Sequence, residues 1–152
     1  MKIRDLLATK GSEVYAIDPG ATMADVVTRL REHGIGALVV STGGEVLPEG
    51  IVSERDVVRV LAESGAAGLY RTVADVMSSP VTTCTPEDDV TALMSLMTEQ
   101  RIRHLPVVET GRLVGIVSIG DVVKACIDDA DLETSIMRDA YLVQRARLAA
   151  AT

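Results

Sequence analysis

Apolar residues recur along this chain in two rhythms. Val90, Leu93, Met94 and Met97 return every three or four positions, which puts them on one face of a helix. Leu105 to Val108 and Leu113 to Val117 are short β-prone runs, and the polar turn Glu109-Thr110-Gly111-Arg112 between them predicts a hairpin. Val81 to Thr85 reads as a further strand ended by Pro86. Thr85 is then placed to cap a helix whose first turn holds Pro86, Glu87, Asp88 and Asp89. Asp121 stands ahead of a closing helix, Val122 to Ile127.

The same order of strand, helix, strand, strand, helix occurs earlier in the chain, because the sequence repeats itself. Gly50 to Val58 returns as Gly115 to Val123, with seven of nine positions identical at an offset of 65. Pro19, Ile35 and Leu38 match Pro86, Ile102 and Leu105 at an offset of 67, and Ile3 to Leu7 echoes Val73 to Met77 at 70. The offsets change around Thr9–Glu13 and within Ser41–Glu49, segments with Gly, Ser or Pro that read as surface connections. The predicted organisation is residues 1–70 as one repeat with its lead-in, 71–130 as the second, and 131–152 as a C-terminal helix and tail. One repeat alone buries too little, so the two are expected to pack by their sheets about a pseudo-twofold axis. The two Ser-x-x-Asp segments would then flank a cleft.

Past Asp128-Asp129-Ala130-Asp131, read as a polar break rather than a metal site, a further helix is expected over about 132–148. Leu132, Ile136, Ala140 and Val143 form an apolar stripe on it, to be buried either on the chain's own body or, the favoured expectation, in a dimer contact.

The core must be aliphatic, since the 152 residues include no Trp, no Phe and three Tyr. A hydrophobic fraction of 47% sets disorder aside. A net charge of −7 disfavours nucleic acid, although one small phosphorylated ligand needs only local cations. Cys84 and Cys126 stand far apart without metal spacing and read as core thiols, which suits a reducing cytoplasm. The N-terminus lacks the apolar stretch of a signal peptide, and no run is long enough to span a membrane.

Two features carry candidate chemistry. In Gly-Ile-Val-Ser-x-x-Asp, Ser53 and Asp56, and again Ser118 and Asp121, fall at a strand-to-helix turn. A serine there joins free backbone N–H groups in holding a phosphate, and an aspartate accepts two hydrogen bonds from a ribose diol. The same spacing is also a plain helix cap, and spacing leaves both readings open. Arg101-Ile102-Arg103-His104 is the densest cationic patch, either an anion site through Arg103 or His104 or a solvated edge. At the matching place the first repeat has Gly34-Ile35-Gly36-Ala37, without a cation. His33, His104 and the two cysteines suggest no nucleophile–base pair.

In order and spacing these motifs resemble the cystathionine-β-synthase (CBS) domain pair, in particular stand-alone bacterial proteins made only of such a pair. The resemblance runs from Ile3 to about Ile127. It implies an α/β (α+β) fold of two βαββα repeats, usually a disc-like dimer, binding AMP, ADP, ATP, NAD or S-adenosylmethionine in two inter-repeat clefts. Carried over, Asp56 and Asp121 bind ribose hydroxyls, Ser53 and Ser118 bind phosphate, and Arg103 and His104 reach phosphate. Thr83 and its counterpart Ala16 line the adenine. Two departures stand out: the first site would rely on Arg55 for a cation, and Gly120 replaces a second hydroxyl in some relatives. The expectation is a cytoplasmic homodimeric sensor that needs no cofactor, catalyses nothing and signals to a separate partner, with no role for nucleic acid or membrane. The alternative is a structural adaptor with non-functional nucleotide sites.

Overall fold

The computed structural model describes residues 1–43 and 47–150, and for 147–150 the backbone alone. The centre of the expected 41–49 loop, the outermost turn of the expected C-terminal helix and the tail therefore lie partly or wholly outside the described residues.

The first repeat comprises α1 (Ile3–Lys10), β1 (Ala16–Ile17), α2 (Met23–His33), β2 (Ala37–Val40), β3 (Gly50–Ser53) and α3 (Glu54–Ser64), followed by a 3₁₀ turn at Gly65–Tyr70. The second comprises α4 (Val73–Val76), α5 (Val90–Gln100), β4 (His104–Glu109), β5 (Arg112–Ser118) and α6 (Ile119–Ala150). β1 runs parallel to β2, and β2 pairs antiparallel with β3, Leu38 facing Val52. β4 and β5 form the predicted hairpin, closed by Thr110 and Gly111 at φ 48° and 78°, the left-handed pair that matches strand twist.

Equivalent helices are stopped in the same way. α2 begins with a capping box, Thr22 N and Asp25 N each donating to the other residue's side chain, and ends at left-handed Gly34. α5 ends with Arg101 in that same left-handed conformation, where glycine would be unstrained.

Three local expectations are corrected. The start of α5 is capped not by Thr85 but by Asp89, whose carboxylate accepts from Thr91 N and Ala92 N. Residues 85–88 are held as a separate turn: Thr85 N donates to Asp88 Oδ2, while Ile3 N and Arg4 N take the carbonyls of Asp88 and Pro86. The strand at Val81–Thr85 shrinks to one parallel bridge between Cys84 and Val107, because Val81 and Thr82 face a cleft instead. The polar break at Asp128–Asp131 is absent, and α6 starts at Ile119 and runs straight through it. No Gly or Pro follows Gly120 in this helix, so nothing in its backbone requires a stop.

The lead-in segments are exchanged between the repeats. Ile3 and Leu6 of α1 are buried among Val90, Leu93, Met97, Leu105 and Val117 of the second repeat. Val73 and Val76 of α4 are buried among Met23, Val26, Leu38 and Val52 of the first. Matching backbone bonds fix both: Ile3 N donates to Asp88 O and Val90 N to Met1 O, as Val73 N donates to Ala21 O and Met23 N to Arg71 O. The second core is thus completed from the far end of the chain, and the first by the segment that directly follows its 3₁₀ turn.

Candidate functional site

Two clefts open where the repeats meet, and each holds one Ser-x-x-Asp pair. The first, about 600 Å³, brings Ser53, Arg55 and Asp56 of the first repeat against Arg101, Arg103 and His104 of the second. The second, about 430 Å³, is lined by Ser118 and Asp121 together with Lys10, Glu13, Tyr15 and His33. Gly36 and His104 border both. A Cβ on Gly36 would stand 3.1 Å from His104 Nε2, so the small residue lets the imidazole reach the boundary.

The strand-to-helix turns are built as capping boxes. Ser53 N and Oγ donate to Asp56 Oδ2 at 2.8 and 3.2 Å. Ser118 N and Oγ donate to Asp121 Oδ2, both at 2.8 Å, and Asp121 N donates back to Ser118 Oγ. The capping reading is therefore realised at both turns, with the carboxylates fixed toward the clefts they line.

The second oxygens differ. Asp56 Oδ1 accepts from Arg59 Nη2 at 2.9 Å, and Arg59 also donates to Val76 O, so the pair ties α3 to the exchanged lead-in α4. Asp121 Oδ2 accepts in addition from Lys10 Nζ at 2.6 Å, and the ammonium also donates to Ile116 O. Among the described residues nothing engages Asp121 Oδ1. Burial by itself would raise the Asp121 carboxyl, but the Lys10 ammonium and the Ser118 donors outweigh it and hold the group below its ordinary value. Burial pushes His104 below its ordinary value, against the pull of Glu54 and Asp121, with Lys10 and Arg103 adding to the depression.

Cation supply separates the clefts. Three guanidiniums, Arg55, Arg101 and Arg103, face Glu54 and Asp56 in the first. Lys10 alone faces Glu13 and Asp121 in the second. The basic patch of the second repeat thus serves the Ser53–Asp56 pair of the first, so that site does not rest on Arg55 alone. Sequence reasoning missed Lys10 and Arg59, whose partners lie 111 and 17 residues away or on an unremarked helix face. Thr83 and Ala16 stand one position outside the linings, which hold Thr82 and Tyr15. Ala16 instead offers its carbonyl to Arg29. Gly120 leaves only Ser118 Oγ near the place a side chain would occupy. Among the described residues, no three His, Cys, Asp or Glu gather as a metal site, and no helix is long and apolar enough to cross a membrane.

The CBS domain profile matches residues 3–63 and 73–128, and the chain belongs to that family. A curated relative, the mitochondrial CBS-domain protein CBSX3 of Arabidopsis thaliana, is 40% identical over 111 residues, 71% of this chain and 54% of that relative. The chain spans just over half that protein's length. Among solved structures, a CBS-domain protein of Agrobacterium tumefaciens is 42% identical with a TM-score of 0.79, over 82% of this chain and 98% of its own. A CBS-domain protein of Pyrobaculum aerophilum, in complex with AMP, is 29% identical with a TM-score of 0.67, over 80% and 89%. The two repeats are those of a CBS-domain pair.

Proposed function

We propose that the chain is a regulatory module that binds an adenosine-containing nucleotide of the AMP, ATP or NAD class. It acts as a cytoplasmic homodimer, catalyses nothing itself, and passes its occupancy to a separate protein in signal transduction. One observation carries this reading: Ser53, Asp56, Arg103 and His104 converge from two repeats on a cavity of about 600 Å³, within the range of small-molecule sites. The Pyrobaculum relative's AMP supports the adenosine. In the first cleft Asp56 takes the ribose hydroxyls, Arg59 yielding part of its hold, and Ser53 joins Arg55, Arg101, Arg103 and His104 on the phosphates. In the second, Asp121 Oδ1 and Ser118 play these parts with Lys10 as the cation, and Tyr15 lies along the base. The weaker charge there suits one phosphate or none. Occupancy is transmitted to the extent that the nucleotide prefers one arrangement of the repeats.

The adaptor reading is favoured by one feature, the exposed outer half of α6. It predicts no response to nucleotides at all.

The test is the melting temperature against AMP, ATP, NAD and S-adenosylmethionine, with Asp56→Ala and Asp121→Ala alongside. A ligand at about 100 times its dissociation constant stabilises the native state by about 2.7 kcal/mol. A shift abolished by one substitution assigns that cleft. No shift at millimolar ligand transfers the conclusion to the adaptor.

A further inference from the structure

His104 opens β4, and the β4–β5 ladder sets it directly opposite Ser118. Residues opposite one another in an antiparallel pair send their side chains to the same face, so the imidazole and the Ser118 hydroxyl are neighbours on it. Ser118 lines the second cleft. On its other side the ring meets the first cleft. There Gly36 O accepts from Glu54 N at the start of α3. A Cβ on Gly36 would meet both the ring, at 3.1 Å, and Glu54 Oε2, at 3.6 Å. The half-buried imidazole therefore stands in the partition between the clefts and lines both.

The charges about the ring come in matched pairs. From the first cleft Glu54 favours its charged form and Arg103 opposes it; from the second Asp121 favours it and Lys10 opposes it. Arg55, Asp56 and Arg101 complete the charged lining of the first cleft, Glu13 and His33 that of the second. With two acids set against two bases, burial decides and holds the ring below its ordinary value. An anion set down in either cleft tips it back toward the imidazolium.

We propose that His104 is a ligand-binding residue of both clefts at once, and that two anionic ligands, one in each cleft, favour each other by sharing its charge. The inference rests on the nucleotide reading and deepens it. A neutral imidazole donates one N–H, whereas the imidazolium donates two and carries a charge that acts on both clefts. The first phosphate draws a proton from solvent onto the ring, at a cost to its own binding. The second then meets a ring already charged. Because the link is a proton, it has a pH window. At acid pH the ring is charged before either ligand arrives, at alkaline pH neither ligand charges it, and the coupling vanishes at both ends.

The experiment is a pH titration of the His104 ring by NMR, its signal told from that of His33, the chain's other histidine, by its loss in His104→Gln. AMP is the probe. In Asp121→Ala it occupies the first cleft alone, and in Asp56→Ala the second alone. In each, the ring's midpoint is expected to rise by about one pH unit over the same variant without AMP. In the unsubstituted chain it rises in two steps as one and then two equivalents are added, so the result does not hang on the folding of either variant. Linkage is reciprocal, so a rise of about one pH unit means that AMP binds the charged ring about tenfold more tightly than the neutral one. A midpoint that answers to one cleft and not to the other, with the melting temperature still raised by AMP in both variants, overturns the sharing and leaves the nucleotide reading standing. If AMP moves neither the midpoint nor the melting temperature, that reading fails and this inference falls with it.

Discussion

Lys10 Nζ stands 2.6 Å from Asp121 Oδ2, joining the end of α1 to the first turn of α6. Both side chains are 28% exposed, so the pair is partly shielded, and the ammonium also satisfies Ile116 O. The contact fastens the exchanged lead-in to the repeat it completes and sets the charge of the second cleft. Lys10→Met is expected to cost about 1 kcal/mol, a fall of about 2–4 °C in melting temperature. It should weaken an anionic ligand in the second cleft and leave the first unchanged, a difference that calorimetry on Asp56→Ala and Asp121→Ala backgrounds resolves.

The same pair has an acid signature. Asp121 is held below its ordinary value in the native state, so between the native and unfolded values the unfolded chain binds more protons. Its stabilisation is complete above the unfolded value, near 4, and is lost as pH falls through the native one. Asp25 and Asp89, lowered by the backbone N–H groups they cap, lose theirs in the same way. The melting difference between wild type and Lys10→Met should therefore shrink between pH 5 and pH 2 (about where these carboxyls titrate). A constant difference would mean that Lys10 acts by packing alone.

His104 titrates in the opposite sense. Burial depresses it, so at neutral pH the ring is uncharged, and stability declines as pH falls below the unfolded value of about 6.5. A phosphate placed against it favours the protonated ring. Binding of a phosphorylated nucleotide should then take up a proton and tighten from about pH 8 to pH 6, by up to tenfold. Calorimetry in buffers of different ionisation enthalpy measures the uptake, which His104→Gln should abolish.

The two thiols differ in access. Burial, with the Asp88 carboxylate adding, pushes Cys84 up to about 12, whereas Cys126 is half-buried on α6. A disulfide reagent should label the accessible Cys126 in the native protein. Cys84 should react only when the chain unfolds, and mass spectrometry of the digested adduct distinguishes them. Native labelling of Cys84 would show that the second repeat's core opens.

Local chemistry was legible in the sequence, and cross-chain supply was not. The Ser53–Asp56 and Ser118–Asp121 turns, the β4–β5 hairpin and the cationic Arg101–His104 segment are each set by residues within a few positions of one another. Lys10 has no such signature, since its partner comes 111 residues later, and neither does the meeting of Arg103 with Asp56. The start of α5 was misplaced because Thr85, Asp88 and Asp89 are all competent caps, and the choice fell to α1 pairing with residues 86–88. The break expected at Asp128–Asp131 weighed acidity over the absence of any backbone stop.

The exchange of lead-ins has a consequence for how the chain can be divided. Cut at residue 70, the first repeat would carry a lead-in whose buried face fits another body and lack the one that fits its own. Ile3 among Val90 and Leu93, mirrored by Val73 among Met23 and Val26, makes each half the other's missing piece, so a division there leaves two open cores that an exchange between molecules would close.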